Sequence, residues 1–256
     1  MQSPLSHRGG IPFFYKKTEK EFQKDPYEKY EEMVVRQSAL HLADEVWEGY
    51  PWQAVLDFAG PHFPVIDQHQ ILEIGCGVGR WIGDLAKRNP AADCWGIDYS
   101  YQMLKRAREF WQLGKGVLFD LTNKGFSKRI HVSGHELNNL QFGLAKAESL
   151  PFGNDRFDFV FNSFLLDRLD DPDRGLEEMF RVLKPEGRLL FVSPLNFSKS
   201  AHWNAFYPPI KLFHLLTQIG FQVIDWREDL IVREPLDGHG NAVMWNCLGV
   251  VADKTI

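Results

Sequence analysis

The run Glu73-Ile74-Gly75-Cys76-Gly77-Val78-Gly79-Arg80 has the residue types and spacing of a ligand-holding turn. Glycines at alternate positions let the backbone bend sharply and approach a ligand where a Cβ would collide. An apolar run, His69 to Ile74, leads into them, and a helical stretch, Arg80 to Arg88, follows. A dinucleotide site prefers G-x-G-x-x-G, whose third glycine opens a helix N-terminus to a pyrophosphate. Arg80 occupies that third place here, and Glu73 suits a cationic ligand better than a pyrophosphate. Asp98 closes the next apolar run about 20 residues on, where an acid in such folds accepts hydrogen bonds from ribose hydroxyls. Tyr99 and Met103 follow it and can flank an adenine. An adenosyl ligand carrying a sulfonium and an ammonium, S-adenosylmethionine, fits this set.

Two further residues are candidates for moving a proton. Asp167 lies in the run Leu165-Leu166-Asp167-Arg168-Leu169-Asp170-Asp171, in which Asp170 or Asp171 reads as the N-cap of a helix starting at Pro172. His202 lies in an aromatic-rich loop, Asn196 to Tyr207, and is either a general base or a solvated histidine. Cys76 has no basic partner in view and reads as a small apolar filler of the loop. Trp203, Tyr207 and the leading Phe13, Phe14 and Tyr15 read equally as core or as a water-excluding lid. His41 and Arg36, on the leading helix, read as solvated residues ahead of the alternative of catalysis or carboxylate binding, and the charge run from Lys16 to Lys29 reads as a solvated face.

The elements that must position these residues alternate. Residues 12–60 read as amphipathic helices preceding any strand, for example Tyr30 to Trp47 with apolar Met33, Val34, Leu40 and Val46. Strands are expected at His69–Ile74, Asp93–Asp98, Phe142–Ala147, Phe157–Asn162 and Arg188–Ser193, with helices at Arg80–Arg88, Tyr101–Trp111, Pro172–Leu183 and Ile210–Ile219. Phe221–Val232 and Ala242–Ala252 read as a closing hairpin, and a segment at about 115–140 as an inserted one. This alternation predicts a single doubly wound α/β domain with ligands at the carboxyl ends of the strands.

From Ile71 to Asn196 the chain resembles the class I S-adenosylmethionine-dependent methyltransferases of the ubiquinone/menaquinone-biosynthesis type. The resemblance rests on LEIGCGVGR, WGIDYS, AKAESLPF and FDFVFNSFLLDRLDDPDRGLEEMFRVLKPEGRLLFVSP. It implies a Rossmann-like, mostly parallel sheet of seven strands with an antiparallel last strand, helices on both faces and an N-terminal helical lid. Residues 1–60 would then be an extension and 61–256 the cofactor-binding domain. The resemblance places Glu73, Gly75, Gly77 and Gly79 around the methionine moiety, Asp98 on the ribose, and Ala147 and Glu148 beside the adenine. Asn162 would offer its backbone carbonyl to the methionine ammonium. Lys146 departs from the pattern, standing where relatives carry an acid that accepts from the adenine amino group, which a lysine cannot do.

Composition narrows the reading further. With 256 residues, 44% of them hydrophobic, and a net charge of -5, the chain can bury a large core and lacks the overall positive charge of nucleic-acid binders. No apolar run approaches the ~20 residues of a membrane span, and the first residues lack a signal-peptide core, so a cytoplasmic location is expected. Cys76, Cys94 and Cys247 have no metal-ligand or disulfide spacing, and no metal is expected. The expected activity is methyl transfer from S-adenosylmethionine to a small-molecule acceptor. A non-catalytic cofactor-binding protein and a protein or RNA methyltransferase are the alternatives, and a homo-oligomer is left open.

Overall fold

The computed structural model describes residues 1–45, 49–64, 69–126 and 129–255. Two short strands, β1 (Ser6–Arg8) and β2 (Ile11–Phe13), precede the helices α1 (Glu19–Lys24), α2 (Pro26–Lys29), α3 (Glu31–Leu42) and α4 (Gln53–Ala59). Then come β3 (Gln70–Ile74), α5 (Arg80–Arg88), β4 (Asp93–Asp98), α6 (Tyr101–Trp111), β5 (Val117–Asp120), β6 (Arg129–Val132), β7 (Leu140–Leu144) and β8 (Phe157–Ser163). The chain ends with α7 (Pro172–Val182), β9 (Leu183–Ser193), α8 (Ser200–Phe206), α9 (Pro209–Ile219), β10 (Phe221–Pro235) and β11 (Ala242–Lys254).

The expected seven strands are present in the order β7-β4-β3-β8-β9-β11-β10, with β11 antiparallel to both of its neighbours. The sheet has two strands more than expected, because β2 adds in parallel to β7 through Phe13 opposite Leu144 and β1 folds back on it. The leading segment is therefore not wholly helical: its first apolar residues satisfy their backbone groups on the sheet edge, Phe14 N–H donating to Leu144 O at 2.8 Å. The helix expected from Tyr30 to Trp47 ends at Leu42, and Val46 and Trp47 lie outside the described residues. The inserted hairpin forms its own two-stranded sheet, β5 with β6.

The sheet core is buried on both faces, as parallel strands with helices on either side require. On β9, Leu190 and Val192 face one apolar cluster while Leu189 and Phe191 face the other. Helix ends follow the sequence chemistry. Asp171 caps α7, accepting from Arg174 N–H with Pro172 in the first turn, so the N-cap reading holds at Asp171. Strand order reverses direction of growth between β3 and β8, which sets the crevice for a ligand at their carboxyl ends.

Packing between α5 and α6 steadies that crevice. The Trp111 indole donates from Nε1 to Val78 O at 3.0 Å, holding the glycine loop, and its ring lies where a Cβ on Gly83 would fall. Gly83→Ala should therefore destabilise the fold by about 1–3 kcal/mol through overpacking, despite alanine's better helix propensity. Urea unfolding checks this; an unchanged or raised midpoint would show that the α5–α6 contact yields freely.

Candidate cofactor and acceptor site

A single cavity of about 720 Å3 opens at the carboxyl ends of β3, β4, β7 and β8. This volume is within the range of small-ligand pockets. Glu73, Gly75, Cys76, Gly77, Asp98, Tyr99, Met103, Ala147 and Glu148 all line it, so most of the residues expected around a cofactor are brought together.

Glu73 is the organising group. It is 1% exposed, and its Oε2 accepts from Ile82 N–H at 2.9 Å, in the first turn of α5. The helix needs this bond, because its N-cap is Gly79 in a left-handed conformation with no side chain to cap the turn. Burial pushes the Glu73 carboxyl well above the usual range, and the charge of Asp98 raises it further. Asp98 takes Gly77 N–H on Oδ2 and Ser100 N–H on Oδ1, both at 2.7 Å. These bonds oppose the burial that raises its own pKa. Gly75 has φ +71°, and a Cβ there would come within 3.0 Å of Leu165. The loop is thus a cradle that a side chain would fill.

Several expected positions have other duties. Gly79 does not line the cavity; a Cβ on it would meet the Phe142 ring at 2.9 Å, so this glycine serves helix packing. Asn162 lies outside the cavity, its side chain turned to the Met179 sulfur, and Ser163, Phe164 and Leu165 form the wall at that strand end. Glu148 Oε1 accepts from Asp170 N–H at 3.2 Å. Lys146 pairs with Glu21 at 2.6 Å and sits 4.7 Å from the centre of the Tyr15 ring. It is recruited to hold α1 over the adenine side.

The two candidate bases are not brought to the cavity. His202 lies on α8 among Phe197 and Phe206, and no residue of the 196–207 loop lines the cavity. Asp167 is buried, with Oδ1 accepting from Ser193 Oγ at 2.9 Å, a bond that ties the α7 approach to β9.

Residues read as solvated surface line it instead. Lys20, Glu21, Lys24 and Asp25 roof the side of the cavity that Tyr99 and Met103 line, and Lys17, whose side chain is only 9% exposed, pairs with Asp25 at 2.6 Å. On the far side stand Gln37, His41, Trp52, Phe164, Arg168, Glu234 and Trp245. His41 stacks on Trp52 at 4.5 Å, Trp52 meets Phe164 edge-on at 4.8 Å, and Phe164 meets Trp245 at 5.9 Å. Glu234 Oε1 accepts from Arg36 at 2.7 Å and Gln37 at 3.3 Å, and its Oε2 from the Trp245 indole at 3.0 Å. Arg80, next to the glycine loop, donates to His41 O at 3.1 Å and Leu42 O at 3.2 Å and pairs with Asp44 and Asp84 at 2.7 Å each. The Arg36, Gln37, His41 and Arg80 contacts join chain segments far apart in sequence; Arg36 does bind a carboxylate, that of Glu234, which was the less favoured reading of that residue.

An open, mostly parallel α/β sheet with a glycine loop, a buried acid at the first strand and a second acid at the next defines a nucleoside-cofactor-binding domain. The Methyltransferase domain family matches residues 72–191. The chain is 38% identical over 102 residues to the ubiquinone/menaquinone biosynthesis C-methyltransferase UbiE of Serratia proteamaculans, covering 39% of this chain and 36% of that one. It is 32% identical over 161 residues to the UbiE of Pasteurella multocida, covering 61% of this chain and 51% of that one. The match thus spans about a third to a half of these relatives' lengths. A S-adenosylmethionine-dependent methyltransferase from Aquifex aeolicus shares the fold with a TM-score of 0.54 at 21% identity, over 90% of this chain and 99% of that one. The [4+2]-cyclase SpnF shares it with a TM-score of 0.58 at 18% identity, over 90% and 96%. Residues 72–191 carry the match to a methyltransferase domain, and the chain shares the fold of solved S-adenosylmethionine-dependent methyltransferases; S-adenosylmethionine is the cofactor that these likenesses support. The cradle and the buried acid fit that cofactor: a ligand ammonium supplies the positive charge that an ionised Glu73 lacks.

Burial raises the pKa of Glu73 and a ligand ammonium favours its ionised form, so cofactor binding should lower that pKa; between the bound and free values binding releases protons and affinity rises with pH. Calorimetry in two buffers of different ionisation enthalpy, repeated across pH, measures that release. Glu73→Gln should abolish it and weaken binding about 10- to 100-fold, by removing a charge-assisted bond. Binding heats identical in the two buffers at every pH would refute the coupling.

Proposed function

We propose that the protein transfers the methyl group of S-adenosylmethionine to a small-molecule acceptor held in the aromatic half of the same cavity. The observation that carries this reading is the continuity of the cavity from Glu73 and Asp98 to Trp52, Phe164 and Trp245. One enclosed space has a cofactor end and an apolar, ring-lined end. Bound S-adenosylmethionine supplies an already activated methyl group, so alignment and water exclusion can provide much of the catalysis.

The chain's own residues divide that work. Glu73 holds the ammonium end, Asp98 orients the ribose, and Tyr99 and Met103 flank the adenine. Residues 1–60 act as the lid: α1 and α2 cover the adenine side through Lys146–Glu21 and through Tyr101 N–H donating to Glu28 at 2.7 Å. Helix α3 covers the acceptor side through Arg36–Glu234. The aromatic lining and the helices that cover the cavity support a small acceptor over a protein or RNA. Among the described residues no helix is long and apolar enough to cross a membrane.

Calorimetric titration with S-adenosylmethionine and S-adenosylhomocysteine, followed by a methyl-transfer screen over small phenols, amines and quinol precursors, tests the reading. Asp98→Ala should lower cofactor affinity at least about 10-fold, having lost the hydrogen bonds that fix both the loop and the ribose. Folded protein that binds neither compound would overturn it. Binding without transfer to any acceptor would favour a non-catalytic cofactor-binding role.

A further inference from the structure

We propose that His41 is the group that takes the proton from a hydroxyl of the methyl acceptor. The inference rests on the methyl-transfer reading above and deepens it by naming the residue that completes the reaction on the acceptor side.

Among the titratable side chains facing the aromatic half of the cavity, one is a neutral nitrogen base with no hydrogen-bond partner among the described residues. Glu234 is engaged by Arg36, Gln37 and the Trp245 indole, and the Gln37 amide is not a base. Arg168 is a cation and accepts nothing. Tyr27 is held as a neutral phenol, its pKa pushed up to about 12 by burial. Asp167 and His202 lie outside the cavity. His41 lines it, and neither of its ring nitrogens has a hydrogen-bond partner among the described residues. Its ring is fixed by stacking on Trp52 at 4.5 Å and 22°, and its backbone by Arg80, the residue that follows the glycine loop. One guanidinium therefore ties the proton acceptor to the loop that carries the methyl donor.

The state of the ring suits the task. Burial, with the Arg80 charge adding to it, brings His41 down to about 4, so the imidazole is neutral and open to a hydrogen bond at neutral pH. The charged groups around it are Arg80 on α5 with its partners Asp44 and Asp84, and, across the cavity, Glu234 on β10 and Arg168 before α7. A base this weak cannot strip a proton from an ammonium before the reaction. It can take one from a hydroxyl that turns strongly acidic as the methyl bond forms. The O–H bond breaks and its proton bonds to the His41 nitrogen. The electron pair stays on that oxygen as it bonds to the methyl carbon, or passes through a conjugated ring to the carbon that does. The sulfur departs with the C–S pair, and the imidazolium returns its proton to solvent.

The test uses the full chain saturated with S-adenosylhomocysteine, 2-naphthol as a flat hydroxyl probe, and 2-methoxynaphthalene as its counterpart without the O–H. Wild type should bind 2-naphthol about five- to tenfold tighter than the ether, the worth of one buried hydrogen bond. His41→Phe keeps the stack on Trp52 and should erase that preference while leaving S-adenosylhomocysteine affinity unchanged; His41→Gln should restore part of it. The preference should persist down to about pH 5 and fall as pH approaches 4, where the ring protonates. Equal binding of the two probes by wild type, or a preference that survives in His41→Phe, would overturn the proposal. Failure of wild type to bind S-adenosylhomocysteine would instead strike the methyl-transfer reading beneath it.

Discussion

A carboxyl group with almost no access to solvent sits at the end of the central strand, and the need to satisfy it shapes everything around the cavity. Glu73 can be buried because it receives Ile82 N–H, and α5 can begin on a left-handed glycine because Glu73 supplies the missing cap. Strand and helix are drawn toward each other by that one bond, which leaves the intervening residues no route but a tight turn. Asp98 then reaches across from the neighbouring strand to Gly77 N–H, so two carboxyl groups hold one loop from two strands. Both are pushed toward protonation by burial, and each makes the other's charge harder to carry. A positively charged ligand would favour the ionised form of both, and this bias matches the cofactor better than the glycine spacing alone.

The aromatic half of the cavity is built on a different principle. No loop motif defines it; it exists because α3, the residues before α4, and the β10–β11 hairpin converge over the sheet. Glu234 is the junction, gathering donors from α3 on one side and from β11 on the other. Surface-type residues thereby acquire interior duties: Arg36 orders a carboxylate at the chamber wall, and Arg80 binds the end of α3 to the cofactor loop.

How much of this was legible in the sequence follows from the range of each interaction. Glu73, Gly75, Gly77, Asp98, Tyr99 and Met103 lie within one strand–turn–helix unit or on adjacent strands, so residue type and spacing were enough to bring them to one cavity. The seven strands and the closing hairpin were legible for the same reason. The two added edge strands were not, because Ser6–Arg8 and Ile11–Phe13 are only three residues each; Ile11–Phe13 joins the sheet through Leu144, more than a hundred residues away, and Ser6–Arg8 then folds back on it. Lys17, Asp25 and Glu28 look like ordinary surface charges until α6 and Tyr99 close beneath them. The aromatic loop at 196–207 misled for the converse reason: its rings pack on one another and on Phe197 and leave the cavity alone.

The place of the last strand has its own consequence for how the molecule is made. β11 lies between β9 and β10, so β10 has no bond to the rest of the sheet except through the strand that follows it in the chain. The two must come together as a ready-made hairpin, and they deliver Glu234 and Trp245 to the chamber in the same event. The partner of Glu234, Arg36, lies 198 residues earlier. Closing so long a loop costs entropy that is offset only once the sheet exists to receive the hairpin. During synthesis the glycine loop can therefore take shape before the hairpin emerges, whereas the aromatic half of the cavity is completed only once the hairpin has docked.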